Sequence, residues 1–126
     1  MRILLDTHLL LWWLEANPSL PARAREMISS PENTIFVSAV SLWEIWLKQS
    51  LGKLRLPVDF MERLVAESFE NLPLTASQTR QVSLLPWRHR DPFDRMLIAQ
   101  AQVENLILLT ADEALAAYGP NVQVAR

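Results

Sequence analysis

The sequence contains no cysteine and only two glycines, Gly52 and Gly119. The absence of cysteine excludes disulfides, thiolate metal sites and a cysteine nucleophile. A dinucleotide-binding fingerprint and a phosphate-binding P-loop each need several closely spaced glycines, so nucleotide-cofactor sites of those kinds are excluded as well. The sequence also has no apolar run of membrane-spanning length and no secretory signal. We therefore expect no membrane association and a cytoplasmic location.

The composition predicts one folded domain over residues 1–126. Half of the residues are hydrophobic, which is enough for a single compact core. Charged residues make up 21%, and no segment is both highly charged and poor in apolar residues, so disorder is not expected.

Short apolar runs alternate with segments of helical character. Strands are expected at 3–5, 35–37, 106–109 and 122–124, with a weaker one near 72–74. Helices are expected at 8–16, 21–30, 58–70, 76–84, 92–104 and 112–118, and another is expected to begin after Ser41. This alternation predicts an α/β fold whose central, mainly parallel sheet of about five short strands is flanked by helices.

Four acidic residues fall where the predicted strands end. Asp6 ends the first strand, Glu44 lies just past the second, and Asp112 follows the strand at 106–109. Asp94 begins the helix that leads into that strand. Because ligands bind at the carboxyl ends of strands in open parallel sheets, we expect all four acids at one edge.

The position of Asp94 within its helix is unusual for an acid. Asp91 fits the N-cap and Pro92 the first helical position, which makes Asp94 the third residue. At helical spacing Asp94 shares a face with Leu97 and Ile98, so its carboxylate lies on the apolar stripe. A ligand at the sheet edge would explain why this helix aims a charge along the face that it buries.

Each acid also has a structural interpretation. Glu44 follows Ser41 by three residues, as in a capping box, while Asp91 and Asp112 fit helix caps and Asp6 fits a turn. However, the residues around Glu44 are apolar on nearly every side of the helix, which predicts a buried helix. A lone buried carboxylate costs several kcal/mol, roughly, unless it is paired or bound to a cation.

Four converging carboxylates repel one another and need a positive partner. The sequence offers no buried lysine candidate at these positions, so a hard divalent cation with oxygen ligands is expected, and Mg²⁺ or Mn²⁺ fits best. A carboxylate-bound cation of this kind supports phosphodiester hydrolysis.

The sequence resembles the PIN-domain ribonucleases and, among them, the toxins of VapBC-type toxin–antitoxin pairs. Four segments carry the resemblance in the family's order and extend over essentially the whole chain. They are LLDTHLLLWWL at 4–14, VSAVSLWEIWLKQSLGKLRLP at 37–57, HRDPFDRMLIAQA at 89–101 and LLTADEAL at 108–115.

The resemblance implies a single PIN domain with a three-layer α/β/α fold. It also implies one or two Mg²⁺ or Mn²⁺ ions, an RNA substrate, a homodimer and an inhibitory VapB-like antitoxin. The residues that match the family's metal-binding and catalytic acids are Asp6, Glu44, Asp94 and Asp112, with Thr7, Thr110 and Asp91 as supporting polar residues.

The net charge of −2 at first argues against a nucleic-acid substrate. Once the four acids are assigned to metal, the remaining chain is net positive, and basic residues lie near the proposed site. The candidates for contacts with RNA phosphates are Lys48, Lys53, Arg88, Arg90 and Arg95.

His8 and His89 flank the first and third acids, and we expect both to be structural or surface residues. At least three of the five tryptophans are expected in the core. One or two of them, with Trp43 and Trp46 sharing a helix face, could belong to a dimer or antitoxin surface.

Two alternatives to a nuclease remain open. One is a phosphatase with Asp6 as nucleophile, although such enzymes usually carry a DxD motif where this chain has Asp6-Thr7-His8. The other is a non-catalytic α/β domain with an acidic metal site. A phospho-receiver would need paired acids at the first strand and a late lysine, and neither is present.

Overall fold

The structure is a computed structural model that describes residues 1–126. Five parallel strands form one sheet in the order β3-β2-β1-β4-β5. This arrangement confirms the predicted parallel sheet. The strands are β1 (Arg2–Leu5), β2 (Thr34–Ser38), β3 (Glu70–Leu72), β4 (Ile107–Thr110) and β5 (Val122–Val124).

Helices cover both faces of the sheet and complete a three-layer α/β/α fold. Alternate residues of β1 enter different cores: Ile3 and Leu5 pack on one face, whereas Leu4 packs on the other. The six helices are α1 (Thr7–Leu14), α2 (Ala22–Ser29), α3 (Ala39–Ser50), α4 (Phe60–Ala66), α5 (Ala76–Ser83) and α6 (Pro92–Glu104). No helix combines the length and the apolar composition that a membrane crossing requires.

The strand order creates a switch point between β1 and β4. The chain extends from β1 to β2 and β3 on one side, and then returns through α6 to β4 and β5 on the other. Crevices at such a reversal are the usual ligand sites of open parallel sheets. The backbone N–H of Asp6 donates to the carbonyl of Leu109 at 3.1 Å, so Asp6 lies at this point.

Helix α3 differs from its prediction in two ways. It begins at Ala39 rather than after Ser41, because the hydroxyl of Ser38 accepts from the backbone N–H of Val40 and caps the helix. The predicted capping box of Ser41 and Glu44 is therefore wrong. The helix is also not buried all round, since the side chain of Trp43 is 58% exposed.

Several other elements differ from the prediction in their bounds or type. The third strand covers Glu70–Leu72 rather than 72–74, and the helix predicted at 58–70 covers only Phe60–Ala66. The last predicted helix is a 3₁₀ helix over Glu113–Tyr118. Helix α6 has the predicted bounds and ends at Asn105, whose φ of 55° lies in the left-handed region that asparagine tolerates.

Candidate active site

Asp6 lies at the carboxyl end of β1 and is 4% exposed. Its Oδ1 accepts a 2.8 Å hydrogen bond from the backbone N–H of Leu9, which caps helix α1, and its Oδ2 accepts from the hydroxyl of Thr110. Burial raises the pKa of Asp6 to about 6, although these two hydrogen bonds oppose the rise. The site therefore holds a carboxylate whose charge is poorly compensated by the protein.

Asp94 lies in the first turn of α6, as the sequence predicts. Asp91 is the N-cap, and its Oδ1 accepts from the backbone N–H of Phe93 at 2.9 Å and of Asp94 at 3.0 Å. Burial raises the pKa of Asp94, and the charges of Asp91 and Glu44 raise it further. The imidazole of His89 lies 2.9 Å from Asp94 Oδ2 and lowers the pKa of Asp94.

Asp112 reaches the same place from the end of β4. Ligand atoms of Asp112, Asp94 and His89 all lie within 4.8 Å of one another. Asp112 also caps the 3₁₀ helix through a 2.9 Å hydrogen bond from Ala114, so its structural and site roles coexist. The hydroxyl of Thr110 accepts from the backbone N–H of Asp112 at 3.0 Å and donates to Asp6, which links two of the acids.

Glu44 enters the site from α3 and is 4% exposed. Its Oε2 contacts the ammonium of Lys48 at 2.5 Å, one helical turn further on. Its Oε1 is buried and has no hydrogen-bond partner. Lys48 is not the buried lysine that the sequence lacks, since its side chain is 39% exposed, yet its ammonium reaches the buried carboxylate from the rim.

The acids form one electrostatic group around Asp94. The charge of Asp94 raises the pKa of Asp6, and the charge of Glu44 raises that of Asp94. Asp112 joins the group through its proximity to Asp94. A divalent cation with oxygen ligands is the partner that such a cluster accommodates best.

The predicted phosphate contacts differ in their environments. Lys53, Arg88 and Arg90 are exposed, whereas Lys48 is engaged with Glu44. Arg95 is 4% exposed, and its guanidinium donates to the backbone carbonyls of residues 82, 85 and 86 and to the hydroxyl of Tyr118. Its burial and these hydrogen bonds, which hold the loop that precedes α6 and the Tyr118 hydroxyl, argue against the predicted phosphate contact.

Two polar residues of the site have partners that the sequence did not reveal. His89 was expected to be structural or surface-exposed, yet its imidazole contacts Asp94. The five-residue separation is not a helical spacing, and the contact arises because the loop folds back onto the start of α6. The hydroxyl of Thr7 donates to that of Ser41 at 3.1 Å, which joins α1 to α3 beside the acids.

A family model matches most of the chain. The PIN domain model covers residues 3–119. Ribonuclease VapC22 from Mycobacterium tuberculosis is 30% identical over 116 residues, which represent 90% of this chain and 88% of that protein.

Solved structures share the fold at low sequence identity. The chain resembles VapBC2 from Rickettsia felis bound to a promoter DNA fragment, with a TM-score of 0.75, 17% identity and complete coverage of both chains. FitAcB from Neisseria gonorrhoeae gives a TM-score of 0.68 at 21% identity, with 98% of this chain and 96% of that chain covered.

Proposed function

The chain belongs to the PIN domain family, and on that premise we propose that it is a metal-dependent endoribonuclease that acts as the toxin of a toxin–antitoxin pair. The observation that carries the proposal is the acidic group around Asp94: ligand atoms of Asp94 and Asp112 lie within 4.8 Å of each other, and Asp6 and Glu44 are near enough to interact electrostatically with Asp94. The ribonuclease activity named for the Mycobacterium tuberculosis relative supports the same reaction.

The acids fit a bound Mg²⁺ or Mn²⁺. Carboxylate oxygens are the ligands that these cations prefer, and the buried Oε1 of Glu44 lacks any protein partner. Burial also raises the pKa values of Asp6 and Asp94, which supports a cationic partner for their charges. We propose that these three acids and Asp112 hold one or two ions.

Such an ion, when bound, lowers the pKa of a water molecule and stabilises charge on the scissile phosphate. The other polar residues of the site position the metal-binding acids. Thr110 orients Asp6 by its hydrogen bond, Asp91 anchors the turn that carries Asp94, and His89 holds one oxygen of Asp94. The half-buried setting limits access by bulk water and strengthens the electrostatic interactions within the site.

Exposed basic residues surround this edge of the molecule. We propose that Lys53, Arg88 and Arg90 contact RNA phosphates, because all three are exposed and lie on segments that adjoin the acids. Binding through phosphates predicts a steep loss of RNA affinity as the salt concentration rises.

The partners follow from the family and from one surface. Several of the similar structures are toxin–antitoxin complexes, which supports a VapB-like antitoxin as the cognate inhibitor.

We also propose that residues 1–126 act as a single domain and form a homodimer. Four exposed apolar residues of α3 and its end, namely Trp43, Trp46, Leu47 and Leu51, offer a contact surface. Sedimentation of Leu51→Glu beside wild type tests the dimer.

The decisive experiment is RNA cleavage by the antitoxin-free protein with Mg²⁺, with Mn²⁺ and with chelator. Asp94→Asn should abolish metal-dependent cleavage, while Asp59→Asn should not. Asp59 is a matched control because it is an exposed acid paired with Arg63 on α4. Cleavage that survives in Asp94→Asn would reject the proposed site.

Both alternatives leave RNA chains intact in this experiment, and a second measurement separates them. A phosphatase would form a phosphoenzyme on Asp6 when given a phosphomonoester. A non-catalytic domain would bind Mn²⁺ in a calorimetric titration and form no phosphoenzyme. Either result would replace the nuclease proposal.

A further inference from the structure

Lys48 is a cationic side chain that contacts one of the proposed metal ligands. Its Nζ lies 2.5 Å from Glu44 Oε2, and the i, i+4 spacing on α3 holds the two groups on one helix face. The side chain of Glu44 is 5% exposed and that of Lys48 is 39% exposed. The ion pair thus extends from the interior of the site to its rim.

A purely structural ion pair would leave this carboxylate better satisfied. Buried charges are stable when their remaining lone pairs are also hydrogen-bonded, and Glu44 Oε1 has no partner. One oxygen therefore contacts a lysine, while the other is free to bind a second positive group. Because the carboxylate carries one negative charge and the two positive groups repel each other across it, a cation at Oε1 weakens the contact of Oε2 with Lys48.

The ammonium of Lys48 can also occupy a second position, in a cleft beside Glu44. A cleft of about 280 Å³ between α1 and α3 is lined by Thr7, Glu44, Lys48 and Lys53 among others. The ammonium stands on a flexible four-carbon stem, so it can leave Glu44 and remain in the cleft. Glu15 also lines the cleft, so with Glu44 bound to the cation, Lys48 and Lys53 together would leave the cleft net positive, which suits phosphate oxygens.

We propose that Lys48 is an internal counter-ion that competes with the divalent cation for Glu44 and, when displaced, binds an RNA phosphate in the adjoining cleft. The competition concerns metal alone, whereas the phosphate contact rests on the proposed ribonuclease function. Because linkage is reciprocal, RNA that holds Lys48 in the cleft also strengthens metal binding. Lys48 is in this sense a residue that couples the two ligands.

The competition is tested by metal affinity without RNA. Calorimetric titration of Mn²⁺ at pH 8 should give a dissociation constant on the order of tenfold lower for Lys48→Met than for wild type. Lys53→Met is the matched control, because it removes the same charge from the same cleft without touching Glu44. An equal change in both variants, or none in Lys48→Met, overturns the competition.

Thermal unfolding provides an independent readout. In chelator, Lys48→Met and Lys48→Gln should melt below wild type, because Glu44 loses its only cationic partner, and saturating Mn²⁺ should raise their melting temperatures more than that of wild type. If chelator leaves both variants as stable as wild type, Lys48 does not neutralise Glu44 and the proposal fails.

The coupling is tested with a 2′-O-methyl RNA oligonucleotide, and gel electrophoresis after each titration verifies that the oligonucleotide is intact. Mn²⁺ should raise its affinity more for wild type than for Lys48→Met. If Mn²⁺ raises the RNA affinity equally in both proteins, Lys48 does not contact an RNA phosphate. The competition between Lys48 and the metal for Glu44 is then judged by the metal titration alone. If the protein cleaves no RNA but Mn²⁺ binding responds as expected, the proposed function fails and the counter-ion role stands.

Discussion

The hydroxyl of Thr110 joins the ends of two neighbouring strands by donating to the carboxylate of Asp6. The two residues are 104 positions apart in the chain, and both side chains are almost fully buried. The same hydroxyl accepts from the backbone N–H of Asp112. Thr110 therefore fixes the relative positions of two proposed metal ligands that come from different strands.

Replacing Thr110 should show how much its hydrogen bond to Asp6 contributes to the free energy of unfolding. Thr110→Val keeps the shape and removes the hydroxyl, so we expect a loss of about 1–3 kcal/mol in the free energy of unfolding at pH 8. Thr110→Ser retains the donor and should lose less. Urea unfolding of both variants in chelator measures the difference, and equal stability of valine and serine variants would contradict the role of the hydrogen bond.

The pKa of Asp6 predicts that the metal-free protein loses stability as the pH rises. The native pKa of about 6 lies above the ordinary value of 3.8, so the native state holds a proton that the unfolded state has released between these values. The part of the stability that depends on protonated Asp6 is therefore fully present below about pH 4, and it is lost as the pH rises through 6. A shift of this size corresponds to about 3 kcal/mol.

Asp6→Asn isolates this effect. The amide carries no charge, and its oxygen can still accept from Leu9, so the variant should be more stable than wild type by about 1–3 kcal/mol at pH 8 in chelator. The difference should vanish near pH 4, where Asp6 is protonated. Unfolding curves across this range measure it, and a variant less stable than wild type at pH 8 would show that the charge of Asp6 is compensated without metal.

Much of this site follows from strand order and residue type. Asp6 and Asp112 were predictable because each directly follows an apolar strand, and parallel strands end at one edge. Asp94 was predictable because α6 has clear start signals in Asp91 and Pro92. These three positions depend on local patterns that the sequence displays.

The remaining features depend on contacts between separate segments. The His89 contact needs the loop to fold back onto α6, and no periodic pattern indicates that fold. The expected burial of α3 on all sides and of at least three tryptophans is wrong, since Trp43, Trp46 and Trp87 are exposed. Apolar residues on an exposed face resemble those of a buried helix in sequence. Lys48 was assigned to RNA because its charge is visible in the sequence, whereas the orientation of Glu44 toward it is not.

His89 should lower the pH at which Asp94 becomes ionised. Its hydrogen bond and its charge both lower the pKa of Asp94, so His89→Ala should raise that pKa. We expect the acid limb of the RNA cleavage profile to move to higher pH. His89→Gln, which retains an N–H donor, should restore part of the shift.

The readout is the midpoint of the acid limb, measured at one fixed metal concentration below saturation, where protons and the metal compete for Asp94. Carboxyl NMR titration of the metal-free protein gives a second value for Asp94 that does not depend on activity. An unchanged midpoint in His89→Ala, together with an unchanged NMR titration, would show that the imidazole has no influence on Asp94.

Arg95 should contribute to stability rather than to RNA affinity. Its guanidinium donates to Pro86 at 2.9 Å and to the Tyr118 hydroxyl at 3.0 Å, and it stacks 3.8 Å from the ring centre of Trp87. A lysine cannot reproduce this planar set of donors, so Arg95→Lys should lose about 2–4 kcal/mol of unfolding free energy. Arg90→Lys, at an exposed position, should lose almost nothing.

Neutral variants separate the two roles when RNA binding is measured below their unfolding transitions. If Arg95 is structural, the slope of RNA affinity against salt stays at the wild-type value in Arg95→Met, although the charge is removed, because no phosphate contact has been lost. Arg90→Met, in contrast, should reduce that slope by about one ion. A reduced slope in Arg95→Met without a loss of stability would return Arg95 to the RNA surface. Its burial and its hydrogen bonds to three carbonyls and Tyr118 argue against that result.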